Sequence, residues 1–138
     1  WESTEHGICE EIEMMSEPAT KMLLSNPGMA SSELHSIIAP HIPADLAHVT
    51  YSMPEGLIEV SAPGVTKRAG LEELAGLVGA TAADVVCFGD MPNDIEMIRW
   101  AGLGVAMGNA VPAVQEAADE VTATNDDDGV AQVLERWF

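Results

Sequence analysis

The chain has 138 residues, 47% of them hydrophobic, and sets 23 Asp and Glu against 5 Lys and Arg, for a formal net charge of -18. That length suits one domain, or one domain and part of another, and the hydrophobic share gives it a real core rather than wholesale disorder. So acidic a surface repels a phosphate backbone, which disfavours nucleic-acid binding, and no run of 18 apolar residues is present to cross a bilayer as a helix.

The opening Trp1-Glu2-Ser3-Thr4-Glu5 lacks the basic and apolar blocks of a signal peptide, so a soluble, cytoplasmic protein is expected. Cys9 and Cys87 are far apart and form no CxxC, which gives neither a disulfide framework nor a zinc site; one of them reads as a buried strand residue.

Residues 1–19 are polar, with Ile8, Ile12 and Met15 placed for one side of a helix turn. Lys21-Met22-Leu23-Leu24 reads as a strand ending in the turn Ser25-Asn26-Pro27-Gly28. Ser31 or Ser32 is then the expected cap of a helix carrying Leu34, Ile37, Ile38 and Ile42, cut short by Pro40 and Pro43. Residues 48–52 and 57–61 read as an antiparallel hairpin turning at Pro54-Glu55-Gly56.

From Pro63-Gly64 onward, helix and strand alternate. The pattern predicts a helix over 67–78 with Leu71, Leu74, Ala75 and Val78 as its apolar stripe, and a fully buried strand over 84–89. It continues with a helix over 94–101, a strand over 103–107, a helix over 112–118, a short strand over 121–123 and a last helix over 129–137. Such alternation predicts an α/β fold with a parallel sheet and flanking helices.

The strongest chemical signal is Val85-Val86-Cys87-Phe88-Gly89-Asp90-Met91-Pro92-Asn93-Asp94. A buried strand delivers Asp90 at its carboxyl end, where open α/β sheets bind ligands, and Asn93 and Asp94 follow at a helix start. Two carboxylates and a carboxamide make a hard, oxygen-rich site suited to Mg²⁺, while Asn93 near a helix N-terminus favours an anion. A plain helix cap by Asn93 or Asp94 is the bland alternative. The second signal is Lys67, with Arg68, in a first helical turn behind the expected N-cap Thr66, where cations oppose the helix dipole by roughly 0.3–1 kcal/mol. Either an anion sits at that helix end, or the pair is solvated and answered by Glu72 and Glu73.

The third is the acidic loop Thr124-Asn125-Asp126-Asp127-Asp128-Gly129-Val130, with Asp128 placed to cap the last helix and the loop on the same sheet edge as Asp90. The stretch from Gly102 to Gly108 is GxGxxxG and lacks the strand-turn-helix context of a dinucleotide fingerprint. The four histidines lack metal-ligand spacing, with His35 and His41 read as solvated helix residues.

These residues resemble a known family. Gly89-Asp90-Met91-Pro92-Asn93-Asp94 is similar to motif IV of the haloacid dehalogenase superfamily, in the form found in Cof-type phosphatases with a subclass IIB cap. Gly64-Val65-Thr66-Lys67 resembles their motif III, Gly102 to Ala110 the strand and turn that follow motif IV, and Asp119 to Val130 their C-terminal end. The resemblance covers residues 20–138 and is most specific from residue 64. It implies a Rossmann-like core and Mg²⁺-dependent hydrolysis of a small phosphorylated metabolite, a sugar phosphate among the options, through an aspartyl-phosphate. By the same resemblance Asp90 would bind Mg²⁺ and Asp94 would join or support that metal site. Lys67 would hold the phosphoryl group and the nucleophile's charge, and Asn93 would contact phosphate. From its place on the sheet edge of Asp90, the loop with Asn125 and Asp128 is expected to play a supporting role.

The family's first motif, a DxD after an apolar strand, does not occur before residue 64. Asp126-Asp127-Asp128-Gly129-Val130 has similar letters but follows no buried apolar strand. The chain is therefore expected to be the C-terminal half of such a phosphatase, with part of an α+β cap over residues 1–62 and the C-terminal part of the core over 63–138. Alone it is expected to be inactive and to associate through open sheet edges or with an N-terminal half chain. The alternatives are a non-catalytic domain that keeps an anion or metal site, and a split phosphatase completed by a second chain.

Overall fold

Residues 18–138, with Glu10, Glu13 and Ser16, are described by the computed structural model. The helix turn expected around Ile8, Ile12 and Met15, and Cys9, lie outside the described residues.

Alternation of polar and apolar residues builds an antiparallel sheet from β1 (Lys21–Ala30), β2 (His48–Thr50) and β3 (Glu55–Ser61), in the order β1-β3-β2. Lys21 and His48 both pair with Ser61, and Leu23 and Thr50 both pair with Glu59. Directly opposed residues share a sheet face, so these form two successive rows on one side. Ile58 points to the other side and is fully buried. There the helix α1 (Ser31–Ile38) packs on β3, with Leu34 buried.

Four details of this region differ from expectation. The turn at Pro27-Gly28 is an irregularity inside a longer β1, where the register jumps between Ser25 and Ala30 and Gly28 takes φ +96°. The hairpin turns before Glu55, because β3 already begins there. Ser31 does not cap α1: it is wholly buried, its amide donates to the Pro54 carbonyl (2.8 Å) and its Oγ accepts from the Leu57 amide (3.1 Å). Its hydroxyl therefore pins α1 to β3 instead of ending a helix. His35 is half-buried rather than solvated, with Nε2 3.2 Å from the Val49 carbonyl and its ring 5.6 Å from that of Tyr51.

The second sheet is parallel, in the order β4 (Val86–Gly89), β5 (Leu103–Ala106), β6 (Glu120–Val121). Its flanking helices are α2 (Lys67–Val78), α3 (Ile95–Trp100), α4 (Pro112–Gln115) and α5 (Gly129–Leu134). The α/β class read from the sequence is the class observed. Ile98, Ala106, Met107, Ala110 and Val114 form the core, joined by half-buried Phe88 and Ile95. Gly104 is required there: a Cβ on it would lie 2.2 Å from the Ile98 carbonyl oxygen, so β5 and α3 meet backbone to backbone.

Helix α2 starts and stops where its sequence directs, with Thr66 Oγ1 accepting from the Ala69 amide and Gly79 ending it at φ +75°. Its apolar stripe is not buried as expected. Ala75 is covered and Leu71 half-covered, but Leu74 is 56% and Val78 71% exposed. The packed side of α2 lies against the short α3, which covers only a narrow strip of it. Strand β4 likewise buries Cys87 and Gly89 but leaves Val86 and Phe88 half-buried, since among the described residues it pairs on one side only. No helix among the described residues is long and apolar enough to cross a membrane.

Candidate active site

The carboxyl ends of the three parallel strands bring the polar groups together. Asp90 follows β4 directly, and its main chain is clamped from several directions. The Met107 amide donates to the Gly89 carbonyl (2.9 Å), and the Val111 amide donates to the Asp90 carbonyl (3.1 Å). Asp94, 3% exposed, closes the loop from below: its Oδ2 accepts from the amides of Asp90 (3.0 Å) and Met91 (3.1 Å). Gly89 makes this fold-back feasible, since a Cβ there would lie 2.4 Å from the Asp94 Cβ.

The other oxygen of Asp94 receives Lys67 Nζ at 2.5 Å. Lys67, in the first turn of α2, is thereby aimed at the end of β4. This answers the question its position posed: the cation is held by a buried carboxylate from 27 residues away, while Arg68 makes the solvated i,i+4 pair with Glu72. With both oxygens engaged in three hydrogen bonds, Asp94 orients Lys67 and the loop.

Asp90 Oδ2 accepts from Asn109 Nδ2 (3.2 Å), and Asn109 Oδ1 accepts from the Asn125 amide (3.0 Å). The loop after β6 is thus tied to Asp90 through Asn109, a residue that sequence reasoning did not single out; the only signal was its place in the turn after β5. Asn125 joins by its backbone, and its side chain turns to Asp126 (3.2 Å). Asp128 stands apart. It adopts φ +56° ahead of α5 without a side-chain cap, and it lines a different cavity with Met107 and Leu134.

Asn93 and Lys67 open onto a cleft of about 260 Å³ between the two sheets, whose far wall carries Lys21, His48, Glu59 and Ser61. The Asn93 Oδ1 is buried and lacks a hydrogen-bond partner among the described residues. Glu59 is held by Lys21 Nζ at 2.5 Å and by the Ser52 hydroxyl. Burial alone would raise its pKa, but the hydrogen bonds from Lys21 and Ser52, with the charges of Lys21 and Lys67, hold the carboxyl below the usual glutamate value. Burial, with the charge of Asp94, pushes the Cys87 thiol up.

Among the described residues no group of three or more His, Cys, Asp or Glu side chains converges on a metal position. The donor set still suits Mg²⁺, which is bound by one or two carboxylates and completes its shell with water and substrate phosphate. Asp90 is the carboxylate that fits, having one oxygen on Asn109 and the other without a hydrogen bond among the described residues.

A sequence profile of haloacid dehalogenase-like hydrolases matches residues 1–134. The 5-amino-6-(5-phospho-D-ribitylamino)uracil phosphatase YitU of Bacillus subtilis is 41% identical over 91 residues, 66% of this chain and 34% of that protein. A haloacid dehalogenase-like hydrolase from B. subtilis superposes with a TM-score of 0.79 at 27% identity, over 95% of this chain and 46% of that one. A sugar phosphatase of HAD subclass IIB superposes with a TM-score of 0.77 at 31% identity, over 91% of this chain and 46% of that one. The chain spans about a third of the length of the curated relatives it matches.

Proposed function

The chain belongs to the haloacid dehalogenase-like hydrolases, and we propose that it serves Mg²⁺-dependent hydrolysis of the phosphate monoester of a small sugar or polyol. The observation that carries this reading is the arrangement of Lys67, Asp94 and Asp90 at the carboxyl edge of the parallel sheet. A cation fixed by a buried carboxylate stands beside a carboxylate left available to a metal. The substrate class draws support from the relatives, one named for a ribityl phosphate and one described as a sugar phosphatase.

In this reading residues 63–138 are the C-terminal part of the catalytic core and the antiparallel sheet is part of its cap. The nucleophile is an aspartate supplied from outside these 138 residues. Its carboxylate oxygen attacks phosphorus, the P–O ester bond breaks, and the leaving oxygen takes a proton from a general acid likewise supplied from outside these 138 residues. Water then gives a proton back to that group as it attacks the phosphorus of the aspartyl-phosphate, which releases inorganic phosphate and restores the carboxylate. Lys67 neutralises charge on the phosphoryl oxygens and the nucleophile, Asp94 keeps it aimed, and Asn93 contacts a phosphoryl oxygen through its carboxamide. Asp90 would hold Mg²⁺, which supplies Lewis-acid stabilisation of the phosphoryl group when bound.

The test is p-nitrophenyl phosphate hydrolysis by the complete reading frame that carries these residues, with Mg²⁺ and with EDTA. Turnover should need the metal, and Asp90→Asn or Lys67→Met should each lower kcat by roughly 10²- to 10³-fold, the size typical of losing one charge-stabilising group. Full activity in either variant overturns the assignment.

A further inference from the structure

The cleft wall opposite Lys67 has a chemistry that phosphate transfer does not use. Two rows of the antiparallel sheet reach it, Lys21-Ser61-His48 and the Glu59-Thr50 pair, and all five of these side chains are polar. Rows on one sheet face are spaced about 7 Å apart, the length of a short polyol segment. Within them Glu59 is an ionised carboxylate, only 12% exposed, with Lys21 Nζ on one oxygen at 2.5 Å and the Ser52 hydroxyl on the other.

A half-buried carboxylate keeps its charge where partners answer it, because leaving it unpaired is costly. Its two hydrogen bonds leave lone pairs over, and Lys21, 46% exposed at its side chain, keeps donors free toward the cleft. A hydroxyl group both donates and accepts, so it can give its proton to Glu59 and take one from Lys21. A second anion is poorly received by the same wall, since Glu59 repels it.

From this we propose that Lys21 and Glu59 are specificity-determining residues that read the hydroxyl groups of the leaving alcohol, selecting phosphate esters of polyhydric alcohols over esters of plain or acidic ones. The inference rests on the phosphatase reading above and deepens it. The phosphate lies at Lys67 and Asn93, and the hydroxylated chain lies across the Ser61 and Glu59 rows. His48 and Thr50 complete the polar wall at the edge strand.

The experiment compares kcat/KM, by phosphate release, for ribitol 5-phosphate and n-pentyl phosphate, which share a five-carbon chain and differ in hydroxyls. It uses the complete protein and its Glu59→Leu and Lys21→Met variants. The wild type should favour ribitol 5-phosphate by about 10²-fold or more, as sites built to bond a hydroxyl do. Each variant should reduce that ratio at least tenfold. A loss of folding or of catalytic power would lower both substrates together and leave the ratio intact, so the ratio isolates recognition.

A wild-type ratio near one, or an unchanged ratio in both variants, overturns the inference while the phosphatase reading stands on p-nitrophenyl phosphate. Absence of turnover on all three substrates overturns the phosphatase reading, and this inference with it.

Discussion

Lys67 Nζ lies 2.5 Å from Asp94 Oδ1, and the same carboxylate accepts the amides of Asp90 and Met91 on its other oxygen. One buried side chain therefore fixes both the cation of the site and the loop that presents Asp90.

Replacing Asp94 should damage stability and activity at once. Asp94→Ala leaves two loop amides without their acceptor, at roughly 1–3 kcal/mol each if they stay buried. It also frees Lys67. Urea unfolding should show a lower midpoint, and phosphatase activity should fall by at least as much as in Lys67→Met. A variant with wild-type midpoint and activity would contradict the clamp.

Gly89→Ala tests the same clamp from the strand side. The new methyl would have to occupy space 2.4 Å from the Asp94 Cβ. Overpacking of this kind costs about 1–3 kcal/mol. The displacement also pulls Asp94 from Lys67, so kcat should drop more than the loss of stability explains. Gly79→Ala is the comparison: its cost comes from φ +75° in open space, and it should leave kcat alone.

Asn109→Ala removes the link between Asp90 and the loop after β6. Groups that orient a metal-binding carboxylate typically matter by roughly 10- to 100-fold in metal affinity. The Mg²⁺ concentration for half-maximal activity should rise by that order, while saturating Mg²⁺ restores most of kcat. An unchanged Mg²⁺ dependence would mean the Asn109 contact is only structural.

Glu59 gives a pH prediction. Its folded pKa lies below the unfolded value, so in acid the unfolded chain binds more protons and stability rises with pH through that window. The contribution is present above the usual glutamate range near about 4.3 and is lost as pH falls toward the lowered folded value. Glu59→Gln should flatten the stability profile between about pH 3 and 5 in urea titrations. An equally steep profile in the variant would remove Glu59 as the source.

Cys87 should be inert in the folded protein, since it is 5% exposed and its thiol is pushed up by burial and by Asp94. With Cys9 replaced by serine, iodoacetamide at pH 8 should label Cys87 slowly in buffer and rapidly in urea. Fast labelling in buffer would show that β4 opens readily.

What the sequence disclosed was mostly local. Thr66 with Lys67–Val78 and Gly79 carried its own start and stop signals, and the strand ending in Gly89-Asp90 was marked by apolar residues followed by acid. The contacts it withheld join distant segments. Nothing near Asn109 says that its carboxamide will bridge Asp90 and the Asn125 amide, and Ser31 looks like any helix cap until β3 lies beside it. The helix stripe of Leu71, Leu74 and Val78 misled because periodicity marks an apolar face without saying what covers it. Lys67 stood undecided on position alone, since its partner was 27 residues away.

The two sheets differ in how freely they can change. On β3, Glu59 and Ser61 look into the cleft while Ile58, next to Glu59, is sealed on the opposite side. The cleft-facing positions there can be exchanged to admit a new alcohol while Ile58 keeps the strand packed, with the Lys21 ion pair as the one support lost at Glu59, and even-numbered ones can drift within apolar types without altering selectivity. Around Asp94 no such division exists, because the residue that holds the loop is also the one that aims the cation. A lineage acquiring new substrates should therefore record its history on alternate residues of the antiparallel strands and leave the Gly89–Asp94 turn untouched.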